Sequence, residues 1–176
     1  MNIFYLHHAA PLAATMHCDV HVVKMILETA QILCTVHHRH GNGDAVPYKP
    51  THQRHPSVLW AGDSAAQYSW LADLGDYLCR EYAMRYQRRH ACEPHLMGVL
   101  RRPPPALAAG KFSWCEPPQA MPDECKVPGD AVTAYRNYYR QHKAQFARWR
   151  MGGIPVFMTG TYNEDAPEHL REVLTS

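Results

Sequence analysis

The sequence has no apolar run of the roughly 18 residues that a membrane-spanning helix needs. Its first residues, "MNIFYLHHAAPLAA", also lack the basic start and unbroken apolar stretch of a secretory signal, since two histidines interrupt them. These absences argue against a membrane or secreted protein. We therefore expect a cytoplasmic protein without membrane contact, in which the six cysteines are free thiols.

Several catalytic motifs are also missing. There is no G-x-S-x-G, and neither "GNGD" nor "MGGIP" lies between a strand and a helix as a phosphate-binding loop requires. The 13 histidines include pairs with ligand-like spacing, but H-E-x-x-H, C-x-x-C and a zinc-finger pattern are absent. We predict no metal and no cofactor; the histidine pairs are His17/His21, His37/His40 and His52/His55.

Charge is unevenly distributed along the chain. The formal net charge is only +2, yet no acidic residue occurs from 131 to 163. A local basic region can attract a polyanion even when the whole chain is nearly neutral. The cations in this region are Arg136, Arg140, Lys143, Arg148 and Arg150.

The hydrophobic pattern predicts an all-α fold, a single compact domain of three main helices with long Pro-rich connections. The first helix is predicted from about 11 or 15 to 38, and the second from Ser57, as N-cap, to about 89. The third follows Asp130 as N-cap and ends at Gly152 and Gly153. Residues 1–153 form the predicted domain, and residues 154–176 a tail with a possible short helix at "PEHLREVL".

The first predicted helix carries an unusual polar line. His17, His21, Lys24 and Glu28 are spaced by four, three and four residues, so they would share one face. An apolar arc is predicted to cover the rest of this helix, and it includes Val20, Val22, Val23, Ile26 and Leu27. A titratable line this narrow is more typical of the wall of a cleft than of a solvated face.

Such a line permits amine chemistry. A lysine in a mostly apolar cleft loses solvation, which favours the free, nucleophilic amine, so Lys24 is a candidate nucleophile. Glu28 could pair with it or shuttle a proton, and His17 and His21 could contact phosphate or act as acid or base. The alternative is a buried Lys24–Glu28 ion pair with two structural histidines.

Three blocks of the chain together resemble the pyrimidine-dimer DNA glycosylases, the endonuclease V type of phages. "LAATMHCDVHVVKMILETAQIL" is similar to the first helix of that family, whose active-site segment opens with a histidine. "HPSVLWAGDSAAQYSWLADLGDYLCREYAMRYQRRH" resembles its second helix, and "VPGDAVTAYRNYYRQHKAQFARWRMG" its C-terminal helix. Insertions at 39–50 and 91–120 lengthen this chain relative to the family.

The resemblance implies an endonuclease V-like DNA-repair enzyme, a glycosylase/AP lyase acting on double-stranded DNA as a monomer, in the cytoplasm of a phage-infected host if phage-encoded. In that family the N-terminal α-amine attacks C1′ of a flipped pyrimidine nucleotide, and a glutamate seven residues after the histidine assists. Seven residues after His17 stands Lys24, and Glu28 is the nearest carboxylate on the line. Because Asn2 is too large for efficient methionine removal, Met1 is expected to carry the amine.

The predicted catalytic set is therefore Met1, His17, His21, Lys24 and Glu28. Two basic elements are predicted to contact DNA phosphates, the third helix and the loop "YKPTHQRH". Two other functions remain open, a phage enzyme that modifies pyrimidines on the same scaffold and a DNA-binding protein without catalysis. The predicted DNA contacts are Lys49, His52, Arg54, His55, Arg136, Arg140, Lys143 and Arg150.

Overall fold

A computed structural model describes residues 1–159, and in this part of the chain all regular structure is helical, with no strand. The all-α prediction is confirmed. Three 3₁₀ turns accompany the α-helices, at Gly43–Ala45, Val99–Arg101 and Asp123–Cys125. The described α-helices are α1 (Ala10–Met16), α2 (Asp19–Arg39), α3 (Pro56–Ala61), α4 (Ala65–Tyr86), α5 (Glu93–Met97), α6 (Pro105–Ala108), α7 (Ala131–His142) and α8 (Val156–Thr159).

The long helices α2 and α4 pack against each other, α1 packs on α4, and α3 packs on both long helices. Gly75 permits a close approach of α2 and α4. A Cβ on Gly75 of α4 would come within 3.0 Å of the side chains of Thr29 on α2 and Leu96 on α5. The core residues of α2 are fully buried, and they include Val22, Met25, Ile26, Ile32 and Leu33.

The first predicted helix is two helices, which corrects the prediction of one continuous element. His17 and Cys18 are extended, with ψ of 132° and 160°, so the chain breaks between α1 and α2. Arg85 of α4 stabilises the break, because its guanidinium donates to the carbonyl oxygens of His17 (2.7 Å) and Thr15 (3.0 Å). Its partner on the other side of the break is the carboxylate of Asp19, at 3.2 Å.

The second predicted helix is also divided. α3 ends at Gly62, and Ser64 begins α4 by accepting a hydrogen bond from the backbone N–H of Ala66. Ser57 is not the N-cap that the sequence predicted. The side chain of His55 occupies that position and accepts from the N–H of Ser57 at 3.2 Å.

The third predicted helix begins correctly and ends early. Asp130 caps α7 as predicted, accepting from the N–H of Thr133 at 2.8 Å. The helix stops at His142, well before Gly152, so the predicted end is wrong. A tertiary contact determines the path of the chain after α7, since the carbonyl of Arg148 accepts a hydrogen bond from the N–H of Asp19 at 2.8 Å.

The connection from 91 to 129 carries α5, α6 and two of the 3₁₀ turns, and it packs on the helices. The indole N–H of Trp60, for example, donates to the carbonyl of Cys115 at 2.9 Å. All six cysteines fall within residues 1–159 and are free thiols. No helix within residues 1–159 is long and apolar enough to span a membrane. The predicted short helix at 167–174 lies outside the described residues.

Replacing Arg85 tests how far this fold depends on the break at residues 17 and 18. Its side chain is 1% exposed and pairs with Asp19 and Glu81, whereas Arg80 on the same helix is 63% exposed and pairs only with Asp76. Arg85→Ala takes the ion-pair partner from the buried Glu81, leaves Asp19 paired to Arg150, and removes the donors to the carbonyls of Thr15 and His17, which should together cost about 3–5 kcal/mol of unfolding free energy. Arg80→Ala should cost at most about 1 kcal/mol. Urea unfolding of both variants measures the difference, and equal losses would contradict the assignment.

Candidate active site at the amino terminus

The predicted polar line divides into two parts because the helix breaks at His17. His17 lies outside α2 and is fully buried, and His21 in the first turns of α2 is also buried. Lys24 and Glu28 stay on the accessible side, with side chains 67% and 13% exposed. The expectation that an apolar cleft dehydrates Lys24 is therefore wrong, because α2 turns this side chain towards solvent.

Glu28 brings the amino-terminal residues to α2. Its Oε2 accepts from the backbone N–H of Asn2 at 2.9 Å and lies 4.0 Å from the Met1 α-amine. Its Oε1 lies 3.3 Å from the Nζ of Lys24. We call Met1, Lys24 and Glu28 the amine–carboxylate cluster. One carboxylate thus lies between two primary amines, which places three of the five predicted catalytic residues together.

The main chain of Met1 is more exposed than its side chain. That side chain is 3% exposed and packs against the core, whereas the residue as a whole is only half-buried. The exposed surface of Met1 therefore belongs mostly to its main chain, which includes the amine.

Two residues that sequence reasoning missed hold the segment from 1 to 6 in place. Asn2 donates through Nδ2 to the carbonyl of Ala120 at 3.0 Å and accepts through Oδ1 from the N–H of Ile3. Phe4 has a left-handed backbone, with a φ of 51°. This conformation costs a non-glycine residue about 1–2 kcal/mol. The Phe4 ring stacks on His21 at 4.3 Å between centroids, which offsets that strain. No sequence pattern marks either contact.

The two buried histidines are structural groups in this conformation. His17 Nδ1 bonds to the carbonyl of Ala13 at 2.7 Å, and His21 Nδ1 bonds to the hydroxyl of Tyr139 at 2.6 Å. Desolvation lowers the pKa of His17 to about 4 and that of His21 to about 3. Both rings are neutral at pH 7. A contact between His17 and phosphate is excluded here, because none of the residue is exposed.

The basic loop 49–55 lies beside the cluster. Two hydrogen bonds between Thr51 and Thr35 fasten this loop to α2. The backbone N–H of Thr51 donates to Oγ1 of Thr35 at 3.1 Å, and the hydroxyl of Thr35 donates to the carbonyl of Thr51. Desolvation lowers the pKa of His55. The charge of the Met1 α-amine lowers this pKa further, and the charge of Glu28 raises it. Those electrostatic effects require proximity to the cluster. His52, Lys49 and Arg54 are exposed on the same loop.

The predicted basic row on the third helix is only partly formed. Arg136 donates from Nε to the carbonyl of Leu6 at 3.0 Å, and Arg140 donates to the carbonyl of Phe157 at 3.2 Å. Lys143, just after α7, lies 4.3 Å from the centre of the Tyr138 ring. Arg150 does not belong to this row, because the helix has ended; its Nε lies 3.5 Å from Asp19.

Lys143 lies near His21, which precedes Lys24 by one turn of α2. Desolvation lowers the pKa of His21, and the charges of His17, Lys143 and Lys24 lower it further. The end of α7 therefore adds a cation close to the part of α2 that carries Lys24, in addition to those of loop 49–55.

The apolar arc predicted on α2 is wrong in part. Val20, Val23 and Leu27 are 50%, 36% and 39% exposed, because the buried face of α2 is rotated towards Met25 and Ile32. These three side chains share the accessible side of α2 with Lys24.

Comparisons with known proteins add no identity: no family model, no curated protein and no solved structure matches the chain. The resemblance to pyrimidine-dimer DNA glycosylases stays a prediction made from the residues alone.

The buried histidines predict a pH dependence of stability. Their folded pKa values, about 4 and about 3, lie below the ordinary 6.5, so the unfolded chain binds more protons. Their contribution to stability is complete above pH 6.5 and is lost as the pH falls towards 4 and 3. Each histidine should contribute a slope of up to about 1.4 kcal/mol per pH unit in that window.

Denaturant unfolding between pH 7 and pH 4 measures this slope. His17→Gln should flatten it, whereas His52→Gln, at an exposed position, should leave it unchanged. A wild-type slope that survives in His17→Gln would show that this ring is not the titrating group.

Proposed function

We propose that the chain acts on DNA through an amine nucleophile of the amine–carboxylate cluster, as a DNA glycosylase/AP lyase. The observation that carries the proposal is the position of the Glu28 carboxylate between the Met1 α-amine (4.0 Å) and Lys24 Nζ (3.3 Å). An ammonium group must lose a proton before it can attack, and a carboxylate at this distance can accept that proton directly or through one water.

The proposed reaction uses groups of the cluster, the nucleotide and one water molecule. The ammonium group gives a proton to Glu28, and the free amine forms a bond to C1′ of a flipped pyrimidine nucleotide while the bond between C1′ and the base breaks and the base leaves with the proton from Glu28. The nitrogen passes a proton to O4′, and the sugar ring opens to an iminium ion. Glu28 then takes a proton from C2′, and the 3′ phosphate leaves by β-elimination. Hydrolysis of the imine returns the amine.

The geometry favours Met1 over Lys24 as the nucleophile. The backbone of Met1 is fixed because the next residue, Asn2, is bonded to Glu28 and to Ala120. Catalysis gains from a group held in one position, since ordering it during the reaction costs entropy. Lys24 reaches Glu28 through a flexible side chain that is 67% exposed. The proposed role of Lys24 is therefore to balance the carboxylate charge and to contact phosphate.

Double-stranded DNA is the proposed partner because cations of loop 49–55 and of the end of α7 lie near the first half of α2. Loop 49–55 contributes Lys49 and Arg54, and the end of α7 contributes Lys143 and Arg140. Exposed valines and a leucine lie beside Lys24 on α2, and apolar side chains of this size serve other proteins as wedges between base steps. Extrusion of a nucleotide requires contacts of this kind.

Trapping with borohydride tests the nucleophile. The protein is incubated with abasic, dimer-containing and 5-modified pyrimidine duplexes, and borohydride reduces any imine to a stable adduct. We expect an adduct with abasic or dimer-containing DNA. Glu28→Gln should reduce its rate of formation by two or more orders of magnitude, about 3 kcal/mol in barrier height.

Cleavage before aspartate then identifies the amine. Residues 1–18 contain no lysine, so an adduct on this peptide identifies the α-amine, whereas an adduct on residues 19–43 identifies Lys24. Lys24→Met is the matched variant, and it should keep the adduct on 1–18 with little change in stability because Lys24 is largely exposed. A changed base mass with an intact strand would instead indicate pyrimidine modification, and binding without either product a non-catalytic protein.

A salt titration tests the DNA contact. The variant Lys49→Ala/Arg54→Ala/Arg140→Ala/Lys143→Ala should bind duplex DNA more weakly, and each phosphate contact that it removes should lower the salt slope by about one. Arg136 and Arg150 are left in place because Leu6 and Asp19 bind them within the protein. Arg88→Ala/Arg89→Ala, at exposed positions after α4, is the control. Equal slopes for wild type and the quadruple variant would show that the basic elements are misassigned.

A further inference from the structure

Three ligand-type side chains meet away from the amine–carboxylate cluster. The 3₁₀ turn Asp123–Cys125 supplies Glu124 and Cys125, and the last residue of α7 supplies His142. Their carboxylate oxygen, thiol sulfur and ring nitrogen all lie within 4.8 Å of one another. Within residues 1–159, no other trio of histidine, cysteine or acidic residues satisfies this distance.

The turn is fastened to α7, so the backbone segments that carry the three groups are held together before any ligand binds. Asn137 of α7 donates to the carbonyl of Cys125 at 3.4 Å. After the turn, the N–H of Val127 donates to the side-chain oxygen of Gln119 at 2.8 Å. Cys125 itself is fully buried, and its thiol donates to Oε1 of Gln141 at 3.6 Å.

The spacing suits a small tetrahedral ion. Zinc binds imidazole nitrogen and carboxylate oxygen at about 2.0–2.2 Å and thiolate at about 2.3 Å, so two ligands on one ion stand about 3.3–3.7 Å apart. His142 Nε2 and Glu124 Oε1 are already 3.2 Å apart. Their side chains are 36% and 59% exposed and can rotate towards the buried thiol, which closes the remaining gap.

We propose that Glu124, Cys125 and His142 bind one zinc ion, with the fourth position taken by water or by Oε1 of Gln141. Thiolate with imidazole selects zinc over magnesium and calcium, which prefer oxygen ligands alone. The thiolate and carboxylate charges neutralise the ion. The site also lies at the C-terminal end of α7, where the helix dipole favours a cation.

The proposed ion cross-links the proline-rich connection to the end of α7. That end leads directly to Lys143, one of the cations of the proposed DNA surface, so the site fixes a part of this surface without belonging to the amine–carboxylate cluster. The sequence prediction of no metal depended on short-range motifs. It could not find ligands that the fold brings together from residues 124, 125 and 142.

Cobalt(II) substitution tests the site on the full chain after chelator treatment. A thiolate bound to cobalt gives a charge-transfer absorption that carboxylate and imidazole do not give. We expect one equivalent of cobalt to produce this band, zinc to displace it, and zinc to raise the melting temperature. Cys115→Ser, which removes an exposed thiol, is the control and should keep the band.

Three variants complete the test. Cys125→Ser should abolish the band, and Glu124→Gln and His142→Gln should each weaken binding at least about tenfold, since even groups that only support a metal ligand cost that much when removed. The last two alter partly exposed side chains, so they decide the matter if Cys125→Ser does not fold. Two results would overturn the proposal. One is the absence of the band in wild type. The other is loss of the band in Cys115→Ser together with full cobalt binding in Glu124→Gln and His142→Gln.

Discussion

A single buried guanidinium determines how the amino-terminal third of the chain is arranged. Arg85 is 1% exposed and binds the carbonyl oxygens of Thr15 and His17 together with the carboxylates of Asp19 and Glu81. A buried cation is expensive unless its donors are all paired, and these four partners supply that pairing. They come from α1, from α2 and from α4 itself. The arrangement satisfies carbonyls at the end of α1 that would otherwise be unpaired, and this makes the break before α2 stable.

The break decides which groups reach solvent. A continuous helix would have carried His17, His21, Lys24 and Glu28 on one face. With the break, the two histidines face the core, and Phe4 covers His21. The segment 1–6 then lies across α2, and its first peptide N–H and its α-amine meet Glu28. The amine–carboxylate cluster is therefore a consequence of tertiary packing on α2 and not of a linear motif.

Local patterns predicted what local physics controls. The helical class, the Asp130 cap and the position of Glu28 near Lys24 follow from periodicity and capping rules. The break before Asp19 and the early end of α7 did not follow, because contacts between distant residues decide them. These contacts are made by Arg85 at the break and by the carbonyl of Arg148 after α7. The exposure of Val20, Val23 and Leu27 was missed for the same reason, since rotation of α2 is fixed by its neighbours. Met1 and Glu28 were placed in one set by resemblance alone, and only the fold brings them within 4.0 Å.

Zero-length carbodiimide coupling measures the central geometry without any assumption about substrate. The reagent joins a carboxylate to an amine in direct contact, and cleavage before aspartate separates residues 1–18 from residues 19–43. We expect a product in which these two peptides are joined through Glu28 and the α-amine, and we expect this product to be lost in Glu28→Gln. A protein that is coupled only between Lys24 and Glu28, with peptide 1–18 always unmodified, would contradict the placement of the amino terminus on α2.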